Sequence, residues 1–164
     1  ERLTALAALR VTFGGYYNRF SPGGEEAAME YKGISDEGAN LEEALREELA
    51  RKRPQELQVG HTLCGPHRDD VSFSLNGRSA EIYASEGQLK TILISWKLAE
   101  SCYLEQRCGQ QPVVLLDDVF SELDHDHIGE LMEIVDEFEQ VIVTTPQEPE
   151  ARVARRFEQI RLEK

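Results

Sequence analysis

Apolar residues along this chain recur in two rhythms, one with the period of a helix and one with the period of a strand. Leu3, Leu6 and Leu9 fall among alanines at helical spacing, and the pattern continues through Phe13 and Tyr17 until Ser21-Pro22-Gly23-Gly24 breaks it. Met29 and Tyr31 alternate with charges, which predicts a short strand over Ala28–Lys32, and Gly33–Asn40 is a polar, glycine-bearing loop. A second helix is expected over Leu41–Arg53, with Leu41, Ala44, Leu45 and Leu49 on one face and Pro54 as its stop. Val71, Phe73 and Leu75 then alternate with serines, Asn76-Gly77 supplies the hairpin dipeptide, and Ala80, Ile82 and Ala84 alternate on the return arm. A hairpin of that length brings the His67–Asp70 loop and Ser85 to the same end of the ribbon.

The second half reads as alternating helices and strands. A helix from Glu86 to about Gln106 carries Leu89, Ile92, Leu93, Trp96, Ala99, Cys102 and Tyr103 on one side. At about 1.5 Å per residue it is roughly 30 Å long. Val113, Val114, Leu115 and Leu116 are apolar at every position and run into Asp117 and Asp118, the habit of a strand buried on both faces. A helix over Ile128–Phe138 and a second fully buried strand over Val141–Thr144 follow. After a helix around Glu148–Arg156, Phe157, Ile160 and Leu162 suggest a closing edge strand. Strand, helix, strand in this order implies a right-handed parallel crossover, hence an α/β fold.

Composition narrows the classes. With 164 residues, 40% of them hydrophobic, the chain fits a single domain with a real core. A formal net charge of −13 argues against a stand-alone basic nucleic-acid grip. Acids cluster over residues 25–48, while Arg51-Lys52-Arg53 and Arg152, Arg155, Arg156 and Arg161 form local basic sites. Three cysteines without CxxC spacing suit reduced thiols in a cytosolic protein. No apolar run is long enough to span a bilayer, and no signal peptide is evident. The first residue is Glu1, the expectation being a fragment or a processed product. His125 and His127, flanked by Asp124 and Asp126, read as a polar first helical turn ahead of a metal site.

The acids after the apolar strand change the picture, because ligands of α/β folds sit at the carboxyl edge of the sheet. Phosphoryl transfer to water needs a divalent cation, a placed water and charge on the γ-phosphate. Asp117 is positioned to hold Mg²⁺ and Asp118 to orient or deprotonate the attacking water, with helix capping as the alternative for both. Ser85 and Gly87 open a long helix, where free N–H groups and a hydroxyl make a phosphate corner, or where Ser85 is an N-cap. Glu86 weakens an anion site there and Lys90, one turn on, partly offsets it. The loop Cys64-Gly65-Pro66-His67-Arg68-Asp69-Asp70 is either a second site loop, through His67, Arg68 and Asp69, or a turn whose acids pair with Arg68. No GxxxxGK[ST] occurs, so the chain supplies at best half of an ATP site.

Three stretches, CGPHRDD, ASEGQLKTILISWKLAE and PVVLLDDVFSELD, together resemble the C-terminal portion of the RecF family over about 41–164, with Glu1–Tyr31 compatible. The resemblance implies an ABC-ATPase-like head fragment with a parallel core sheet flanked by helices and an antiparallel hairpin. It implies one domain over 1–164, in which 1–60 form a mostly helical lobe and 61–164 carry the hairpin, signature helix, Walker B strand and following βα units. Ser85, Gly87, Gln88 and Lys90 would contact ATP in trans, Asp117 and Asp118 would serve magnesium and water, and Ser121 and Asp124 would form a dimer-interface loop. The implied ligands are ATP and Mg²⁺ in a complete parent protein. The implied partners are single-strand/double-strand DNA, RecR, RecO, RecA and a second protomer in an ATP-dependent homodimer, in the cytoplasm and away from membrane. Without the phosphate loop the fragment itself should be inactive. The chain departs from the family at Glu86, where glutamine is common, at Lys90, where arginine is common, and at Thr144-Thr145-Pro146, where ABC ATPases often place a histidine. A head fragment of an SMC-like chromosome protein and a non-catalytic interaction domain on the same fold are the competing readings.

Overall fold

The computed structural model describes residues 2–21, 24–33, 40–120, 123–146, 148 and 151–161. Helix α1 (Arg2–Phe20) leads into strand β1 (Ala27–Lys32), helix α2 (Leu41–Val59), strands β2 (Asp70–Leu75) and β3 (Arg78–Ser79), and a short helix α3 (Ala80–Tyr83). Then come the long helix α4 (Glu86–Cys108), strand β4 (Val114–Asp117), helix α5 (His125–Val135), strand β5 (Val141–Thr144) and a short helix α6 (Ala151–Ala154). The strands form two sheets, an antiparallel one ordered β1-β2-β3 and a parallel pair β4-β5.

Local chemistry explains the boundaries of α4. Ser85 accepts from the Gln88 N–H while the Gln88 side chain accepts from the Ser85 N–H, a reciprocal capping box. Gly109 closes the other end at φ 69°, a left-handed value glycine adopts without a Cβ penalty. One face of α4 packs on α1, and Phe13, Phe73 and Trp96 form an aromatic seam from α1 through β2 to α4, with ring centroids 5.3 and 5.6 Å apart. Leu98, Ala99, Leu131 and Ile134 are fully buried, so α4 and α5 supply the centre of the core. The same core cluster takes in Leu6, Phe13 and Tyr17 of α1, Met29 of β1, and Val114 and Leu116 of β4.

Several expectations need correction. Pro54 does not end α2, which continues to Val59. The turn beyond it is held from outside: Glu56 accepts from Leu63 N at 2.8 Å, its carbonyl accepts from Gly60 N at 2.8 Å, and Lys52 donates to Leu63 O. These bonds offset the one the proline ring removes. None of the residues of α2 is buried, including Leu41, Ala44, Leu45 and Leu49. The return arm of the hairpin is only Arg78–Ser79, because the chain winds into α3 at Ala80. Alternation in Ala80, Ile82 and Ala84 was too short to separate a strand from one helical turn. Leu93, expected inward, is 58% exposed, while Thr91 and Ser95 are buried.

The parallel strands are not buried on both faces. Val114 and Leu116 face the core, but Leu115 is 71% exposed and Ile142 also faces solvent. Among the described residues this sheet has two strands and one covering layer, and a parallel sheet buries its second face only beneath a second layer. Among the described residues the closing edge strand does not form: residues 155–161 hold no strand, and Ile160 is 83% exposed. Leu162 lies outside the described residues. Among the described residues, no helix is long and apolar enough to cross a membrane.

Candidate functional site

Two corners carry the candidate chemistry, and α4 with its neighbours sets both. At the first, Ser85 stands in extended backbone at φ −69° and ψ 163°, exposed at the mouth of α4. Its hydroxyl accepts from Gln88 N at 3.2 Å, and Gln88 Oε1 accepts from Ser85 N at 2.8 Å. Gln88 Nε2 donates to Glu25 Oε1 at 2.5 Å, and Tyr17 Oη donates to Glu25 Oε2 at 2.9 Å. Burial, and next Glu25, push the Tyr17 phenol well above its ordinary value. A cleft of about 430 Å³ opens here between α1, α4 and α5, and Ser85, Gly87, Gln88, Thr91, Glu25 and Asp124 are among the residues that line it.

Asp124 enters this cleft as the N-cap of α5. Its carboxylate accepts from Asp126 N at 3.1 Å, His127 N at 2.9 Å and His127 Nδ1 at 2.7 Å. The His127 backbone N–H first, and its ring second, hold the Asp124 carboxyl below the usual carboxylate range. The imidazole stacks on Phe20, with centroids 6.3 Å apart and planes 9° off parallel. His127 is thus engaged as a capping and packing residue, and among the described residues no group of three or more His, Cys, Asp and Glu is placed to ligate a metal.

The second corner is the carboxyl end of β4. Asp117 is its last residue, exposed, and the Thr144 hydroxyl donates to its Oδ1 from the neighbouring strand. Asp118 turns out of the strand at φ 47°, with its N–H on Thr144 O at 3.0 Å. Aspartate tolerates that left-handed value better than most residues, and the turn takes the second acid off the strand's alternation. Lys90 Nζ donates to Asp118 O at 2.6 Å, so this lysine ties α4 to the strand end, away from the Ser85 hydroxyl. A single exposed carboxylate braced by a hydroxyl fits Mg²⁺, which keeps several waters and takes its other ligands from phosphates. Thr144 stands in the stretch where a histidine was the expectation of the resemblance. Ser121 lies outside the described residues.

The loop of His67, Arg68 and Asp69 sits elsewhere. In the β1–β2 register Lys32 pairs with Asp70 and Ala27 with Leu75. Glu25, just before Ala27, reaches Gln88, so the Ser85 corner lies at the Leu75 end and the loop at the Asp70 end. The six residues of β2 separate them by about 17 Å. The expectation of one shared end fails because the return arm stops after two residues. Nor do the acids of this loop pair with Arg68. Asp69 accepts from Arg2 at 2.6 Å and from the Tyr31 hydroxyl, Arg68 donates to Thr62 O at 3.0 and 3.2 Å, and His67 is exposed.

No protein-family model matches the chain. Curated relatives do: the DNA replication and repair protein RecF of Moorella thermoacetica is 45% identical over 123 residues, 75% of this chain and 32% of that protein. RecF of Synechocystis is 39% identical over 150 residues, 88% of this chain and 39% of that protein. Two solved structures of RecF as a recombination mediator protein of the RecFOR pathway, RecF-ATPrS and RecF-ATP, superpose with TM-scores of 0.72 and 0.71 at 28% identity. The chain is RecF-like over most of its length. The expected α/β class, an ABC-ATPase-like head, holds in this RecF frame. Each solved RecF structure covers 89% of the chain, whereas the chain covers 40% of it. The chain therefore spans well under half the length of the RecF proteins it matches, and the bare outer face of β4 and β5 stands in that light.

Proposed function

We propose that this chain supplies two non-adjacent parts of the ATP sites of a RecF-type DNA replication and repair ATPase. Ser85, Gly87 and Gln88 serve a nucleotide held by a second protomer, with Asp124 and Ser121 in the interface loop and Lys90 joining α4 to the strand end. Asp117 holds Mg²⁺ and Asp118 orients the attacking water in the nucleotide site of its own protomer. Bound Mg²⁺ would neutralise charge building on the transferred phosphoryl group. The observation that most supports this reading is the acid pair at the carboxyl edge of a parallel strand, Asp117 exposed and Asp118 half-buried, joined through Lys90 to the helix whose mouth opens the Ser85 cleft.

In this reading the 164 residues form one domain of the head and do not turn over ATP alone, because they carry no phosphate loop. DNA at single-strand/duplex boundaries, RecO, RecR and RecA are the proposed partners, and the cytoplasm the proposed compartment. The loop of His67, Arg68 and Asp69 lies outside the nucleotide cleft in this reading and serves the fold. The test is Asp118→Asn in a RecF chain of full family length that carries this sequence. Asparagine accepts the left-handed turn as readily as aspartate, so the variant removes the charge and spares the backbone. ATP hydrolysis should fall on the order of 10²-fold or more. Unchanged hydrolysis would favour a non-catalytic interaction domain on the same fold.

A further inference from the structure

Glu25 lies far from α4 in sequence, in a stretch with no signature of its own, yet its carboxylate ends on the amide that shapes the Ser85 corner. A carboxylate only accepts hydrogen bonds, whereas a glutamine amide donates at one end and accepts at the other. With Gln88 Nε2 on Glu25 Oε1, the amide oxygen is forced toward Ser85 N, where it completes the capping box. The other carboxylate oxygen takes the Tyr17 hydroxyl, and Tyr17 is 1% exposed in the core. The buried end of α1 thereby fixes the carboxylate, the carboxylate fixes the amide, and the amide fixes the first turn of α4. One N–H of the Gln88 amide is left for a ligand in the cleft.

We infer that Glu25 is a positioning residue for the nucleotide corner, holding Gln88 and through it Ser85 in the orientation that meets an ATP-bearing second protomer, with Tyr17 as its anchor. The inference rests on the proposed nucleotide reading of Ser85. It asks no direct ligand contact of Glu25. Its negative charge is answered by two donors inside the chain, which lowers the cost of a carboxylate beside an anion site.

Glutamine at position 25 can still accept from Gln88 and donate to the Tyr17 oxygen, so it preserves the geometry and removes the charge. Alanine removes both bonds. In a RecF chain of full family length carrying this sequence, Glu25→Ala should weaken ATP-driven dimerisation roughly tenfold by light scattering, the scale of one charged hydrogen bond. Glu25→Gln should stay within about twofold of wild type, and Tyr17→Phe should fall between them. Ser85→Arg, which fills the corner, is the control and should abolish the response. If Ser85→Arg still dimerises with ATP, the nucleotide reading and this inference fall together. If it does not, but Glu25→Ala behaves as wild type or Glu25→Gln is as impaired as Glu25→Ala, the positioning role alone is overturned.

Discussion

The two ends of the β1–β2 ribbon carry similar side chains and treat them in opposite ways. At the Asp70 end, Asp69 is nearly covered, with 11% of its side chain exposed, and both its donors come from within the chain, Arg2 and Tyr31. Pro66 O takes a second bond from Arg2, and Arg68 is folded back onto Thr62 O. At the other end, Ser85, Gln88 and Asp124 line an open cleft, and at a separate corner Asp117 stands exposed at the tip of β4. Internal partners satisfy the first cluster as a stabilising knot. The second is braced by its neighbours but left open to a ligand. The difference teaches that internal partners alone do not separate a fold-holding loop from a site: both clusters have them, and only the second lines an open cleft.

That contrast can be broken by substitution at either end. The largest effect is the loss of hydrolysis in Asp118→Asn, set beside Asp69→Asn in the same full-length chain, which should leave hydrolysis within about threefold of wild type. An equal loss in both would erase the distinction between the ends. Asp69→Ala should instead destabilise the fold by about 1–3 kcal/mol, since it strands the Tyr31 hydroxyl and one arm of Arg2. Urea titration would read this as a lower midpoint with unchanged slope.

A smaller effect belongs to Asp124. As N-cap of α5 it should contribute about 1 kcal/mol, lost in Asp124→Ala. Its folded carboxyl titrates below the unfolded one, so that stability is present above the unfolded value near pH 4 and disappears as pH falls through the folded value. Asp124→Ala should therefore flatten the acid side of the stability profile below about pH 4, and leave the neutral side parallel to wild type. The smallest effect should come from Leu115→Ser on the bare sheet face, within about 0.5 kcal/mol for these 164 residues alone. A larger loss would mean that the outer face of β4 is covered by this chain itself.

Much of the fold was legible because its signals are local. The Ser85 cap, the Asn76-Gly77 turn and the alternation of β2 each lie within a few residues. Pro54 misled because the bonds that carry α2 past it come from Leu63 and Gly60, beyond the helix itself. Leu115 and Leu93 misled in another way: burial depends on what covers a face, and periodicity reports only which residues share one. The acid pair was legible from its place after an apolar run. Glu25 and its anchor Tyr17 were not, since Glu25 meets Gln88 of α4 across 63 residues, and no local pattern marks a carboxylate that serves a distant amide.

The central claim is that the Ser85 corner of one protomer and the Asp118 carboxylate of another act on one nucleotide. Mixing Ser85→Arg and Asp118→Asn chains of full family length tests it directly, through ATP turnover at saturating nucleotide. Each variant alone should be inactive. A mixed two-fold dimer holds one site of two with an intact corner and an intact acid, so each mixed dimer should turn over at about half the wild-type rate. No recovery, with mixed dimers verified by light scattering, would contradict the account.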